Sequence, residues 1–229
     1  MSPPLSAKQR EVQRITESLA SAIVRQRLPP GARLVEAQIV DALQANRNHV
    51  QAALQRLALQ QIVEIEPHRG ARVAQPTARE AREIFIARQA IEHAILAQIT
   101  PEALRAGEAA MAAQRVAERA ALQGTDRREG ARALSEFHRL LAALSGNQVL
   151  SDILENLLIR SSLIVALYQR GAGSGCQCEE HEAILTALRR GALAEAQRQM
   201  REHLQALAAG LDLHDGTTGA HDLRDALSD

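Results

Sequence analysis

Aromatic residues are nearly absent from this 229-residue chain, which contains no Trp, one Tyr and two Phe. Because β-strands are enriched in aromatic and β-branched side chains, this scarcity argues against a mainly β fold. Hydrophobic residues still make up 46% of the sequence, and most of them are Ala and Leu, which favour helices. The composition therefore predicts a mainly α protein that is long enough for two domains.

Cysteines and long apolar runs are also scarce. Cys176 and Cys178 lie one residue apart in a Gly-rich segment, a spacing poorly suited to a structural disulfide, and we expect them to be incidental. No apolar stretch approaches the length that crosses a bilayer, and the first residues carry no apolar signal run. These absences argue against a membrane protein and lead us to expect a cytoplasmic one.

Lysine is rare too, since Lys8 is the only one among the 27 basic residues. The formal net charge is zero, but the charge is unevenly distributed. Residues 1–76 hold ten basic and six acidic side chains, a net of +4, whereas residues 77–229 hold 17 and 21, a net of −4. A basic first third beside an acidic remainder favours a polyanionic partner for the first part only.

The first 76 residues combine helical and strand patterns. Helices are predicted over 7–27, 36–43 and 46–60, and short strands over 62–65 and 71–73. Asn46 is a good N-cap for the third helix, and the tight turn before it is typical of a helix-turn-helix. The order of these elements predicts a winged helix-turn-helix domain in residues 1–76.

Only helical patterns follow the linker, where Thr77 and Glu80 form a predicted capping box. Helices are predicted over 77–99, 101–122, 126–145, 147–170, 178–190 and 192–210. They predict an antiparallel α-helical bundle in residues 77–210. Residues 211–229 are rich in Asp and poor in large apolar groups, so we expect a flexible acidic tail.

Several motifs in residues 1–76 resemble those of the GntR family of bacterial regulators. Residues 28–36, LPPGARLVE, are similar to the family segment x-P-G-x-R-L-x-E, and residues 46–57, NRNHVQAALQRL, to its recognition-helix pattern S-R-T-P-V-R-E-A-L-x-R-L. His68-Arg69-Gly70 resembles the wing tip. The resemblance implies a DNA-binding transcriptional regulator, with a departure at Gln51, where the pattern has Arg.

The resemblance places the N-terminal turns of the third helix in the DNA major groove. Arg47 suits a guanine or a phosphate, whereas the amides of Gln51 and Gln55 suit adenine. The predicted DNA contacts are Arg33, Asn46, Arg47, Asn48, His49, Gln51, Gln55, Arg56, His68, Arg69 and Gly70. For any one of them, a solvated polar residue on a helix surface is the alternative interpretation.

Residues 77–210 resemble the FCD ligand-binding domain of the FadR subfamily. Arg88 and Glu92 match its R-x-x-x-E pair. Residues 137–147, 180–185 and 200–204 are similar to its patterns F-H-x-x-L-x-x-x-S-G-N, E-H-x-x-I-L and M-x-x-H-L. The resemblance implies an effector pocket inside the bundle, lined by Arg88, Glu92, His138, His181 and His203.

His138, His181 and His203 on facing helices can together hold one divalent ion, such as Zn, Ni or Mn. Most FCD metal sites add an Asp one turn before the first His, and this chain has Leu134 there. Two interpretations remain: a three-histidine metal site, or a metal-free pocket whose histidines bind the effector directly. In either case Arg88 is expected to pair with an effector carboxylate.

Together these patterns predict a ligand-responsive transcriptional regulator. We expect a homodimeric repressor of a metabolic operon that binds a palindromic operator and is released by a small carboxylate. One alternative is a helical metal-binding protein with a hydrolase-like three-histidine centre, where Glu92 is the only candidate base. The other is an interaction scaffold that does not bind DNA. The winged helix is unexplained by the first alternative, so we expect no enzymatic activity and no catalytic residues.

Overall fold

The computed structural model describes residues 6–66, 70–124, 127–169 and 177–213. These residues form nine helices and three strands: α1 (Ala7–Val24), β1 (Arg33–Leu34), α2 (Glu36–Leu43), α3 (Arg47–Leu59), β2 (Val63–Glu66), β3 (Gly70–Val73), α4 (Ala78–Leu96), α5 (Pro101–Gln123), α6 (Arg127–Ser145), α7 (Gln148–Tyr168), α8 (Gln177–Arg189) and α9 (Leu193–Ala209). The predicted mainly α fold is confirmed. Predictions for His68, Arg69, Cys176 and the tail from residue 214 onward lie outside the described ranges.

The N-terminal elements form a winged helix-turn-helix, as predicted. Asn46 caps α3 by accepting a hydrogen bond from the Asn48 N–H at 2.9 Å. The sheet has the antiparallel order β1-β3-β2, with Val63 opposite Val73. The strand β1 was not predicted because two residues are too few to show an alternating pattern; it is held by pairing with β3 and by the buried Leu34.

The helices α4 to α9 form the C-terminal bundle. The predicted capping box is present, since Thr77 Oγ1 accepts from the Glu80 N–H and the Glu80 side chain accepts from the Thr77 N–H. Helix α4 packs against α6, α7 and α9, while α5 packs against α6 and α8. The main core of this bundle contains Ile95, Leu96, Met111, Phe137, Leu141, Leu154, Leu158, Ile184, Leu185, Met200 and Leu204. The buried face of each helix thus positions its polar residues around one interior.

Helix α7 connects the two parts of the molecule. Its residues Ile159 and Leu163 are buried in the winged-helix core rather than in the bundle core. The Asn156 side-chain amide donates to the backbone oxygen of Gln60, the C-cap residue of α3, at 2.8 Å. A cleft of about 560 Å³, lined by residues of α1, α3, α6 and α7, lies beside these contacts. The winged-helix part is therefore packed directly onto the bundle, mainly through α1 and α7.

Packing continues slightly beyond residue 210, where the predicted bundle ended. Leu211 is buried against the core of α4 and α7, and it pairs with Gln169 in an isolated β-bridge. The N–H of Asp212 donates to the Tyr168 oxygen at 3.0 Å. None of the described helices is both long enough and apolar enough to cross a bilayer.

Candidate functional site

The outer face of α3 carries most of the predicted DNA contacts. Arg47, Asn48 and Gln55 are exposed, whereas Val50 and Leu57 on the opposite face are fully buried. This division follows from the helical spacing of the apolar residues, which pack in the winged-helix core. The polar groups of the first turns are therefore open to a partner such as the edges of DNA bases.

Glu36, at the start of α2, organises two of these side chains. Its Oε2 accepts hydrogen bonds from Arg47 Nε at 3.2 Å and from Gln51 Nε2 at 3.0 Å. The sequence analysis assigned Glu36 no role, although it ends the motif that precedes the helix-turn-helix. One carboxylate thus connects the two helices of the motif and holds the recognition side chains in place.

The other predicted DNA residues lie in different settings. Arg33 is exposed on β1, and Gly70 opens β3 with a φ of +87°, a left-handed conformation that favours glycine. Arg56 points toward α1, where its Nη1 donates to Gln13 Oε1 at 2.7 Å, and it lines the cleft between the two parts of the molecule. Arg56 is thus separated from the first turns of α3. The DNA roles of all these residues stay predictions.

The histidine cluster, made of His138, His181 and His203, occupies the interior of the bundle. These residues come from α6, α8 and α9 and are 3%, 0% and 2% exposed. One ligand atom from each lies within 4.8 Å of the others, and His181 Nε2 is 3.2 Å from His203 Nε2. The Phe137 ring stacks on His181 with the ring centroids 3.9 Å apart. The structure therefore brings together the three histidines that the sequence predicted.

A carboxylate contacts the Nδ1 atom of each histidine. Glu92 Oε2 lies 2.5 Å from His138 Nδ1, and Glu180 Oε2 lies 2.6 Å from His203 Nδ1. Glu118 Oε1 contacts His181 Nδ1. The sequence analysis had proposed Glu92 for the pocket but missed Glu118 and Glu180. Glu180 is next to His181 in a recognised motif, and this position could have indicated that it lies near the histidines. Glu118 comes from a helix without a motif, so no such signal was present.

Two buried arginines accompany these carboxylates. Arg88 Nε donates to Glu92 Oε1 at 2.9 Å, and Arg115 Nη1 donates to Glu118 Oε2. Arg115 also donates to Glu182 and to the backbone oxygen of Cys178, which ties α5 to the start of α8. In both pairs the arginine and the glutamate are neighbours on one helix.

Arg88 keeps one nitrogen without a hydrogen-bond partner. Its Nη2 is buried and lies 2.9 Å from Glu92 Oε1, a distance short enough for an ion pair. The direction of this contact does not suit a hydrogen bond, and Nη2 has no acceptor among the described residues. Hydrogen bonds weaken steeply when misaligned, so this contact is an ion pair and not a hydrogen bond. A buried guanidinium donor is thus left for another acceptor.

Burial favours the neutral form of His138 and His181. It lowers the pKa of His138 to about 4, although the neighbouring Glu92 acts in the opposite direction. It also lowers the pKa of His181 well below the usual value, and the nearby His138 and His203 act in the same direction. Neutral imidazole is the form that binds a metal or accepts a hydrogen bond.

The two buried carboxylates differ in protonation behaviour. Burial alone would raise the pKa of Glu92, but His138 and Arg88 outweigh it and lower that pKa to about 2. Burial raises the pKa of Glu118 to about 7, against the lowering effect of Arg115. Glu92 is therefore ionised at neutral pH and contacts His138 as a carboxylate.

The donor set of the histidine cluster suits a divalent metal. Two nitrogens bound to one tetrahedral zinc at 2.0–2.1 Å are about 3.3 Å apart, close to the 3.2 Å between His181 and His203. Leu134, one turn before His138 on α6, is half-buried and offers no ligand. The three histidines could therefore hold an ion whose remaining positions are open to another molecule.

A winged helix-turn-helix with an exposed recognition helix, packed onto a helical domain with a buried polar interior, defines a DNA-binding transcriptional regulator. Residues 11–73 match the family model described as bacterial regulatory proteins, gntR family, and residues 83–206 match the FCD domain. The chain belongs to the gntR family, in the group that carries an FCD domain. Regulators of this family are not enzymes, so the hydrolase-like alternative is set aside.

Solved structures agree with this assignment. A GntR transcriptional regulator from Rhodococcus sp. RHA1 is 25% identical with a TM-score of 0.76, over 87% of this chain and 96% of that one. McbR/YncC of E. coli has a TM-score of 0.77 at 20% identity, over 90% and 97% of the two chains, and supports the fold alone. A comparison with curated protein sequences found no match.

Proposed function

We propose that this regulator is a homodimeric repressor of a metabolic operon, which binds a palindromic operator and is released by a small carboxylate. Residues 1–76 would bind the DNA, and residues 77–210 would bind the effector and dimerise. Two-fold symmetric operators are matched by two-fold symmetric proteins. A DNA-binding role also places the protein in the cytoplasm.

The buried Arg88 is the observation that carries the effector proposal. It is 4% exposed, and its Nη2 lacks an acceptor among the described residues. Arginine stays charged in proteins and binds carboxylates through paired hydrogen bonds. Burial is the main cause of the lowered pKa of His138 and His181, and the positive charge of Arg88 acts in the same direction on both. An anionic ligand between Arg88 and the histidine cluster would satisfy this unpaired donor.

The histidine cluster supports one divalent ion beside the effector, with Zn, Ni or Mn as candidates. Such an ion would supply a positive charge and open coordination positions for effector oxygens. The protein's own contribution is the burial of three imidazoles that converge on one point. In the metal-free alternative, the same imidazoles would contact the effector directly.

DNA binding is tested by fluorescence anisotropy on palindromic DNA from the protein's own promoter region. Arg47→Ala should weaken specific binding about tenfold, because a good base contact contributes about 1–3 kcal/mol. Arg105→Ala removes an equally exposed arginine from α5 and serves as the matched control. Absence of binding to any such site, with and without a metabolite pool, would contradict the proposed function.

Effector binding is tested by a thermal-shift screen of small carboxylic acids and sugar acids. A true effector should stabilise the wild-type protein, release the DNA, and lose its effect in Arg88→Gln. Because Arg88→Gln leaves Glu92 without its ion pair, Arg88→Lys provides a second variant that keeps the charge but not the paired donors. If every stabilising carboxylate raises the melting temperature of both variants as much as that of the wild type, the proposed role of Arg88 is wrong.

A further inference from the structure

Each ring of the histidine cluster is hydrogen-bonded through Nδ1 to a carboxylate from another helix. The pairs are Glu92 of α4 with His138 of α6, Glu118 of α5 with His181 of α8, and Glu180 of α8 with His203 of α9. An ionised carboxylate only accepts hydrogen bonds, so an Nδ1 atom that faces one carries the ring proton. The Nε2 atom of a neutral ring then has a free lone pair.

Two of these carboxylates are held in place by an arginine on their own helix. Arg88 binds one oxygen of Glu92 and leaves the other oxygen to His138. Arg115 binds one oxygen of Glu118 and leaves the other to His181. Arg115 in turn is fixed by Glu182 and by the backbone of α8. These contacts aim both carboxylates at their histidines before any ligand arrives.

The free lone pairs converge at short range. The Nε2 atoms of His181 and His203 lie 3.2 Å apart, although neither carries a proton when both Nδ1 atoms do. Two lone pairs that face each other at this distance repel, and a cation between them turns the repulsion into two bonds. When both Nδ1 atoms carry the ring protons, this arrangement favours a cation that accepts nitrogen ligands.

We propose that Glu92, Glu118 and Glu180 are positioning residues, which fix the three histidines as Nδ1–H tautomers so that their Nε2 atoms form one binding site for a borderline divalent cation. Three imidazole nitrogens favour Zn²⁺, Ni²⁺ or Co²⁺ over Mn²⁺, which prefers oxygen ligands. The inference rests on the metal-bound form of the proposed function, but not on DNA binding or on effector identity. It gives Glu118 and Glu180 the role of orienting His181 and His203.

The test uses the full-length protein freed of metal, with Zn²⁺, Co²⁺ and Mn²⁺ alone as probes. Glu118→Gln and Glu180→Gln should each weaken Zn²⁺ binding about 10- to 100-fold, as outer carboxylates of metal-binding histidines do. Glu195→Gln is the matched control, because Glu195 lies on α9 with His203 but binds Arg198 and Gln199 and is not hydrogen-bonded to the histidines. Wild-type protein should bind Co²⁺ far more tightly than Mn²⁺.

A second measurement does not depend on metal. Long-range ¹H–¹⁵N spectra of the metal-free protein should show His138, His181 and His203 as Nδ1–H tautomers, and Glu180→Gln should mix the tautomers of His203 alone. Glu180 is one-third exposed, so this variant is expected to fold even if Glu118→Gln does not. Nε2–H tautomers in the wild type, no Zn²⁺ binding, or equal affinities in Glu180→Gln and Glu195→Gln would each overturn the proposal. DNA binding measured on the same samples reports separately on the regulator function.

Discussion

At the scale of single residues, Gln51 makes the DNA-binding surface less basic than its pattern suggests. It lies on α3 beside Arg47, and both side chains bind Glu36. A glutamine gains nothing from the release of counterions, whereas an arginine that meets a phosphate contributes about one unit to the salt dependence. If α3 contacts DNA as proposed, fewer positive charges contribute to the affinity for DNA.

Gln51→Arg is expected to strengthen nonspecific DNA binding and to steepen its salt dependence. If the new arginine meets one phosphate, the slope of log K against log salt should become more negative by about 0.9. Titrations from low to physiological salt on random-sequence DNA measure this slope. Gln205→Arg, an exposed position on α9, adds the same charge far from α3 and should leave the slope unchanged.

Acid should destabilise the metal-free protein through His138. Its folded pKa of about 4 lies below the usual 6.5, so the unfolded chain binds more protons between these pH values. The contribution of His138 to stability therefore falls as the pH drops through this window. The contribution of His138 between pH 7 and pH 5 is about 2 kcal/mol. Glu92, with a folded pKa of about 2, adds its own loss only below about pH 4.5.

Urea unfolding with a chelator at pH 7 and pH 5 measures this loss. His138→Gln should reduce the difference between the two pH values by about 2 kcal/mol, because it removes the titrating group. Leu141→Val, a buried substitution on the same helix, should cost equal stability at both pH values. Glu118, with its raised pKa, acts in the opposite direction over this range, and His181 acts in the same direction as His138, so the test is the comparison with the variant. A pH dependence that is the same in wild type and His138→Gln would show that His138 does not stay neutral in the fold.

Much of the histidine cluster could be predicted from sequence, but its supporting carboxylates could not. The three histidines fall in recognisable motifs, and the bundle fold then brings them together. Glu118 lies in a stretch of α5 that reads as an ordinary charged helix, and nothing in its spacing indicates that it faces α8. Contacts between distant helices depend on their packing, which no local pattern encodes.

At the scale of elements, helix existence was easier to predict than element boundaries or partners. The nine helices of the described residues follow from apolar spacing and capping residues such as Thr77, with ends that differ by a few residues. The strand β1 was not predicted, because its formation depends on pairing with β3 rather than on its own two residues. The apolar face of α7 reads as bundle core, yet Ile159 and Leu163 pack against the winged helix.

Leu163→Ala should therefore destabilise the winged-helix part as well as α7. Leu163 is 1% exposed, and truncation of such a buried leucine costs about 2–5 kcal/mol. Chemical denaturation gives the total loss, and hydrogen exchange of α3 amides shows whether the winged helix shares it. Val149→Ala is the control, since Val149 is exposed on the same helix and should change stability by less than about 0.5 kcal/mol. Unchanged protection of α3 in Leu163→Ala would contradict a shared core.

At the scale of the whole molecule, α6 and α7 form a short physical connection between the histidine cluster and the recognition helix. His138 and Arg139 are neighbours on α6, and Arg139 Nε donates to Glu155 Oε2 of α7 at 2.6 Å. The next residue of α7, Asn156, donates to the backbone of Gln60 at the end of α3. A ligand that shifts α6 would therefore be felt at α3, provided that these contacts move together.

Asn156→Ala is expected to weaken the coupling between effector and DNA while leaving each binding event intact. Coupling between two sites is the ratio of DNA affinities with and without effector, and typical values are about 5- to 150-fold. With the most stabilising carboxylate of the thermal-shift screen, the variant should show a clearly smaller ratio than wild type, because one connection to α3 is lost. Gln197→Ala removes a similar amide-to-carbonyl bond between α9 and His93 inside the bundle and should keep the wild-type ratio. If wild type and both variants show the same ratio of DNA affinities, the contact between Asn156 and α3 does not transmit the effector signal. Helix α7 would then support the winged helix without coupling it to the effector.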